Sequence, residues 1–301
     1  MDGIIVVKKE KGFTSFDVVA KMRGICKQKK IGHTGTLDPD ATGVLPVCLG
    51  CATKLCDMLM DTTKVYRATL LLGKITDTQD VTGTVLEEHP VTVSEEEVRT
   101  VTESFVGTIM QIPPMYSALK VNGKKLCDLA REGIEVERKA REITIEKIEI
   151  EAMCLPEVVM KVTCSKGTYI RTLCHDIGLA LGCGATMKEL IRLETSGYTY
   201  EQAYTLHELE ALRDAGRLEE VLLPVDDAFA ELPKVHVLDM FQKNADNGNA
   251  MRREQFAWDH ANGNPQRIRV YDASGSVFYG IYGYRREMDD YKPEKMFFYR
   301  C

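Results

Sequence analysis

The chain has 301 residues, 44% of them hydrophobic and 28% charged, with 23 glycines and 10 prolines. That composition excludes collagen-like, low-complexity and disordered classes and suffices for one large and one small folded domain. The net charge of -6 argues against uniform phosphate binding, but the acid is concentrated between Glu201 and Pro233, whereas Lys8 to Lys30 holds eight basic residues and two acidic ones.

At the start, Gly3 to Val7 is a short β-branched run that predicts a buried strand. Lysines follow it at once, so it is too short for a signal-peptide core, and no stretch approaches the ~18 apolar residues of a membrane span. The expected compartment is the cytoplasm. Ser15 opens a predicted helix running to about Cys26, followed by a Gly- and Pro-punctuated loop, IGHTGTLDPDATGVLP. Tyr66 to Gly73 reads as a strand, and Ser94-Glu95-Glu96-Glu97 is a capping-box signature opening a helix to about Phe105.

Residues 111 to 141 are basic, Pro- and Gly-punctuated and only briefly periodic, and are expected to be an insertion rather than core. Ile143 to Ile150 alternates as a strand should, with Val158 to Cys164 as its partner. Ile170, Leu173, Ile177 and Leu181 recur at helical spacing. Beyond Pro233, two strand-like runs, Arg267 to Ala273 and Val277 to Tyr282, flank a Ser-Gly turn in a small β-rich unit. The expected architecture is α+β, with strands not linked by regular βαβ crossovers and a boundary near residue 233.

The ten cysteines (Cys26, Cys48, Cys51, Cys56, Cys127, Cys154, Cys164, Cys174, Cys183 and Cys301) are scattered and read as reduced thiols. Cys48 and Cys51 form a lone CxxC without the second pair a zinc site requires. Asp38 sits in GHTGTLDPDATG, where Gly32, Gly35, Gly43 and Pro39 specify a tight loop able to bring backbone close to a ligand. Asp-Pro-Asp is equally a plain turn signal. His33, Asp38 and Asp40 form a third reading, as metal ligands of a hydrolase, but nothing nearby completes the set. Arg171 opposes the dipole at the start of its helix and so asks for a carboxylate or phosphate partner.

Four segments carry a resemblance. IGHTGTLDPDATGVLPVCLGCATK resembles the catalytic-aspartate motif of the bacterial tRNA pseudouridine-55 synthases, the TruB family. KVYRATLLLGKITDTQDVTG, QIPPMYSALKVNGKK and CSKGTYIRTLCHDIG follow in the family's order. The resemblance implies a pseudouridine synthase fold over residues 1–233, with a mixed or antiparallel sheet and a thumb insertion at about 111–141. A small C-terminal β-rich, PUA-like RNA-binding domain would occupy 234–301. It also implies that Asp38 is the catalytic carboxylate, Arg171 its ionic partner and Tyr66 a catalytic aromatic that packs on a flipped base. His33, Tyr169, Leu190, Lys9, Lys54, Lys120 and Lys124 would contact RNA. No metal or other cofactor is expected, because the isomerisation exchanges no electrons with a cosubstrate. The expected partner is the T arm of tRNA, with no membrane, no obligatory protein partner and a monomeric chain.

The chemistry fits those residue types. Breaking the N1–C1′ bond and rejoining the base through C5 suits a carboxylate acting covalently or by stabilising charge, and Arg171 is expected to keep Asp38 ionised. Attack at C1′, attack on the base and a glycal route all remain open. Three positions depart from the family pattern: Glu10 replaces a proline, Cys127 a tyrosine and Ile191 an arginine. Competing readings are a non-catalytic RNA-binding protein, the guide-RNA-directed synthase subunit of archaea and eukaryotes, and a metal-dependent hydrolase.

Overall fold

The computed structural model describes residues 1–121, 123–258 and 263–297; Asn122 of the thumb motif and Cys301 lie outside them. A mixed sheet runs in the order Gly3–Lys9, Thr42–Leu49, Ala185–Thr195, Lys64–Leu72, Glu157–Cys164, Arg141–Cys154, Gly107–Gln111. Neighbours are antiparallel except Ala185–Thr195 against Thr42–Leu49, which pair parallel over two residues.

Period-two alternation explains why the first strand is apolar on both faces from Ile4 to Val7. Ile5 and Val7 join a cluster with the helices Ser15–Ile25 and Leu206–Asp214. Ile4 and Val6 face the other way, into a cluster with Val44 and Cys48. All four are essentially inaccessible, each contributing about 1.5–3 kcal/mol of burial. The helix Ile170–Ala180 sets Ile170, Leu173 and Ile177 against Tyr66, Ala68 and Leu70 of the central strand. The Ser94 capping box forms as expected, at the head of the helix Glu95–Glu103.

Two elements differ from the sequence reading. The expected loop is shorter at both ends, because Ile31–His33 is a strand paired with Val47, Cys48 and Leu49, and Thr42–Leu49 is an inner strand paired along its length with Gly3–Lys9. Pro46 is tolerated there because the edge away from Gly3–Lys9 is paired only at its two ends, with Ala185–Thr195 at Thr42 and Gly43 and with Ile31–His33 at residues 47–49, so the proline falls in the gap where no ladder donor is required. Ala185–Thr195 is a strand that the sequence reading left unassigned, and it lies beside Lys64–Leu72 at the centre of the sheet.

Gln111 and Arg141 are cross-strand partners, so the chain between them leaves the sheet and returns at the same point. A second sheet, in the order Phe256–Trp258, Lys234–Val237, Arg267–Tyr271, Phe278–Arg285, Asp290–Met296, contains the expected hairpin around Ser274-Gly275. It has a core of its own, with Val235, Val237, Phe256, Ile268, Val270, Tyr282 and Tyr291 buried together, and it also packs against the first sheet. Ile281 and Phe297 belong to the same apolar cluster as Ile4, Val6 and Val44, and the Lys54 ammonium bonds the Met296 carbonyl. No helix among the described residues is long and apolar enough to cross a membrane.

Candidate active site

The loop from Thr34 to Ala41 is anchored from several sides. Leu37 is buried; its N–H donates to the Ser15 hydroxyl (2.8 Å), and that hydroxyl donates to the Leu37 carbonyl (3.3 Å). Lys9 donates to the Pro39 carbonyl (2.9 Å) and to that of Glu10 (3.1 Å), and Gly12 N–H also reaches the Pro39 oxygen (2.9 Å). Asp38 is thereby held at the floor of a cleft with two lobes of about 390 and 440 Å³, both of which it lines.

Arg171 enters from the first turn of Ile170–Ala180 and meets Asp38 in a two-point contact, Nε to Oδ2 at 2.9 Å and Nη2 to Oδ1 at 3.2 Å. Its remaining donors go to the carbonyls of Thr78 (3.0 Å) and Tyr116 (2.8 Å), and Asp80 Oδ2 lies 3.6 Å from Nη1. The arginine that opposes its helix dipole is thus balanced by two carboxylates and two carbonyls. Its side chain is 6% exposed, whereas that of Asp38 keeps 40% open to the cleft.

Opposing influences act on the Asp38 carboxyl. Burial pushes the carboxyl above its ordinary value, the arginine charge pulls it back only in part, and Asp80 adds a like charge. The carboxylate is therefore more basic than a solvated aspartate, which favours an oxygen that forms and breaks bonds.

Tyr66 and Leu190 come from adjacent strands and wall the lobe of about 390 Å³ together with Tyr169. Burial raises the Tyr66 and Tyr169 phenols. Tyr169 is fixed at the helix start by Gln111, whose amide accepts from Tyr169 N–H (2.9 Å) and donates to its carbonyl (3.1 Å).

The other residues singled out by sequence fare differently. His33 ends a short strand and accepts from Gly35 N–H (3.3 Å); it lines neither lobe, and burial holds its imidazole below the ordinary value. Lys9 is not a surface cation: it is fully buried beneath the Asp38 loop, and burial lowers its ammonium to about 8. Lys54 is committed to the Met296 carbonyl. Lys120 and Lys124 are exposed on a hairpin of the excursion between Gln111 and Arg141, Lys124 beside Glu132 at 3.6 Å.

Of the departures, Glu10 is exposed and Cys127 lines the larger lobe. Ile191 points to the opposite face of the sheet from its neighbours Leu190 and Arg192, so an arginine there would not enter the cleft. The nine described cysteines are free thiols, and among the described residues no three His, Cys, Asp or Glu side chains converge as a metal site would require. Sequence reasoning missed four cleft residues or supports: Asp80, Gln111, Lys64 and Arg192. Asp80, Gln111 and Lys64 lay inside segments already matched to the family; Arg192 gave no signal, since simple alternation groups it with the charged Lys188 and Glu194, and only the bulges at Met187–Glu189 and Arg192–Glu194 leave it on a face with Leu190 and Met187.

Two solved structures have the same fold over nearly the whole chain. One, an H/ACA RNP bound to a substrate RNA containing 2′-deoxyuridine, matches with a TM-score of 0.75 and 27% identity over 99% of this chain and 86% of that one. The other, a Cbf5-Nop10-Gar1 complex, matches with a TM-score of 0.74 and 29% identity over 98% and 85%. The fold is that of the pseudouridine synthases. Within that class, the description of the TruB family pseudouridylate synthase N-terminal domain matches residues 23–170, and that of the tRNA pseudouridylate synthase B C-terminal domain matches residues 171–230. Proteins named tRNA pseudouridine synthase B are 55% identical in Lachnoclostridium phytofermentans (99% of this chain, 100% of that one) and 46% identical in Clostridium perfringens strain 13 (98% and 99%). This chain belongs to the TruB family of pseudouridylate synthases, and is an isomerase.

Proposed function

We propose that the chain isomerises uridine-55 in the T loop of tRNA to pseudouridine, as a stand-alone enzyme. The observation that carries the reading is the two-point Arg171–Asp38 contact on the floor of a cleft walled by Tyr66 and Leu190. A target bond shielded in a folded loop has to be brought to that floor by flipping the nucleotide out, and the tyrosine and leucine supply the aromatic and apolar walls a flipped base needs.

In this reading Asp38 is the reacting carboxylate and Arg171 fixes its orientation while limiting its basicity. Tyr66 stacks on the base and takes a proton from the ribose. Tyr169 lines the same lobe, and the thumb lysines Lys120 and Lys124 reach phosphates. Residues 1–233 would carry the chemistry and 234–301 would extend the RNA contact as a PUA-like unit. The shared apolar cluster would hold the two parts together, each around a core of its own. Full-length relatives named as bacterial tRNA enzymes at 45–55% identity favour the stand-alone type over the guide-RNA-directed one. A soluble cytoplasmic monomer follows from that role.

The test is incubation of purified protein with unmodified tRNA transcript, without added metal or nucleotide, followed by mapping of pseudouridine. Product at the T-loop uridine is expected; product only at another loop would defeat the assignment. An isolated T-arm hairpin should also react, since local loop shape and flipped bases dominate such recognition.

A further inference from the structure

Arg192 is 1% exposed, one of the largest fully buried side chains in the molecule, and it lines the same lobe as Asp38. Its Nε donates to the Val44 carbonyl (2.7 Å) and its Nη2 to the Gly35 carbonyl (3.2 Å), three residues before Asp38. Among the described residues no carboxylate balances it; the group its charge faces is the Tyr66 hydroxyl. The two residues are direct cross-strand partners, on Ala185–Thr195 and Lys64–Leu72, so their side chains leave the same face of the sheet side by side.

A buried guanidinium with no anionic partner is costly, and replacing one by an apolar side chain is often neutral or better. Two backbone carbonyls alone would be served as well by a neutral donor. We propose that Arg192 is a positioning residue that acts through Tyr66: it holds the phenol oxygen at the cleft wall and supplies the positive charge that lets this oxygen accept the ribose proton. The inference rests on the assignment of Tyr66 made above.

The step balances. The Asp38 carboxylate takes C1′ as the N1–C1′ pair leaves on the uracil; the C2′–H proton then passes to the ionised Tyr66 oxygen, the C2′–H electron pair becomes the C1′–C2′ double bond, and the C1′–O pair returns to Asp38. When the base rejoins through C5, the same proton returns to C2′; the C5 proton goes to solvent and N1 takes one up. No oxidant or cosubstrate enters.

Several charged groups bear on the Tyr66 oxygen. Arg192 favours its ionised form, whereas Cys164 on the neighbouring strand and Asp38 across the cleft oppose it, and burial opposes it most. Lys64, two residues before Tyr66 on its own strand, lines the lobe, as do Tyr169 and Arg171. Arg192 is the cation placed directly opposite Tyr66 in the ladder.

The experiment is a double-mutant cycle on full-length protein, reading single-turnover conversion of tRNA transcript from pH 6 to 10, with melting curves for every variant. Arg192→Gln is expected to slow conversion at least tenfold and to move the rise of rate with pH upward, because the phenol loses the charge that favours its ionised form. In a Tyr66→Phe background the same change should alter the rate less than twofold. Equal slowing in both backgrounds, or an unmoved pH profile, would overturn the proposal and leave Arg192 a structural residue. If Arg192→Gln does not fold, Arg192→Lys, which keeps the charge and loses the fork, is run in both backgrounds against the same criteria, with a smaller slowing expected. Wild-type conversion by Tyr66→Phe would instead remove the Tyr66 assignment itself, and this inference with it.

Discussion

The loop from Thr34 to Ala41 and the excursion from Ile112 to Ala140 border the same cleft and are held by different means. The loop is fixed by buried donors: Lys9, Ser15, Arg171 and Arg192 come from four separate elements, and each bonds it inside the protein. The excursion is tied at its root, where the Tyr116 carbonyl accepts from Arg171, and has a small apolar anchor in Leu126 and Leu129. Arg138 also ties its returning end to the Pro113 carbonyl (3.2 Å), beside Glu135 at 3.1 Å. Further out the charge pairs lie at the surface, Lys124 with Glu132 at 3.6 Å and Arg131 with Asp128 at 3.5 Å. Such pairs contribute about 0–1 kcal/mol each and exchange readily for phosphates. A reacting carboxylate has to be placed in advance to a fraction of an ångström, whereas a surface that grips RNA has to adapt.

The largest effect should come from the loop itself. Asp38→Asn keeps the volume but removes the charge and the reactive oxygen, so single-turnover conversion is expected to vanish while filter-bound tRNA stays within about tenfold of wild type, ~1.4 kcal/mol. Asp40→Asn, exposed in the same turn, should keep most turnover. Equal loss in both would assign the effect to loop integrity. With the Asp38 carboxyl raised by burial, the acid limb of the wild-type rate should lie above the ~3.9 of a solvated aspartate.

Next in size is Gln111→Leu, which strips the acceptor from Tyr169 N–H at the head of the helix that carries Arg171, while the Tyr169 carbonyl keeps Leu173 N–H at 3.0 Å. One buried donor left unpaired should cost roughly 1–3 kcal/mol in urea unfolding, with turnover falling as Arg171 loses its register. Unchanged stability would show that the helix start holds itself.

A smaller effect separates Lys9 as a brace from Lys9 as an RNA contact. Its folded value near 8 lies below the ordinary 10.5, so between those pH values the unfolded chain binds more protons and the folded state gains stability as pH rises. Lys9→Met removes that gain. The melting temperature of wild type relative to Lys9→Met should therefore climb between pH 8 and 10, on the order of 2 °C. A difference independent of pH would refute the buried-ammonium account.

The smallest change is expected in the thumb. Lys124→Gln should weaken tRNA binding a few-fold and reduce the log-log salt slope by about one unit, while Lys54→Gln, whose ammonium is held by the Met296 carbonyl, should leave the slope unaltered. An unchanged slope for Lys124→Gln would return that lysine to the solvated surface.

The sequence by itself determined the family, the class of fold and the identity of the Asp38 and Arg171 pair as one worth seeking. Those signals are local: glycines and a proline around Asp38, an arginine against a helix dipole, apolar residues at a period of 3.6 along Ile170–Ala180, and four motifs in fixed order. What it could not supply depends on contacts between residues far apart in the chain. Lys9 reads as one of a basic run until the loop folds over it, and Lys54 as a phosphate ligand until the last strand arrives 242 residues later. Pro46 looks like a loop residue because the short parallel partner that bounds its gap in the ladder lies about 145 residues downstream. Arg192 is an alternating charge on a strand until pairing sets it opposite Tyr66. Burial and cross-strand register are properties of the assembled sheet, and only the tertiary structure decided which of these cations face water and which face the reaction.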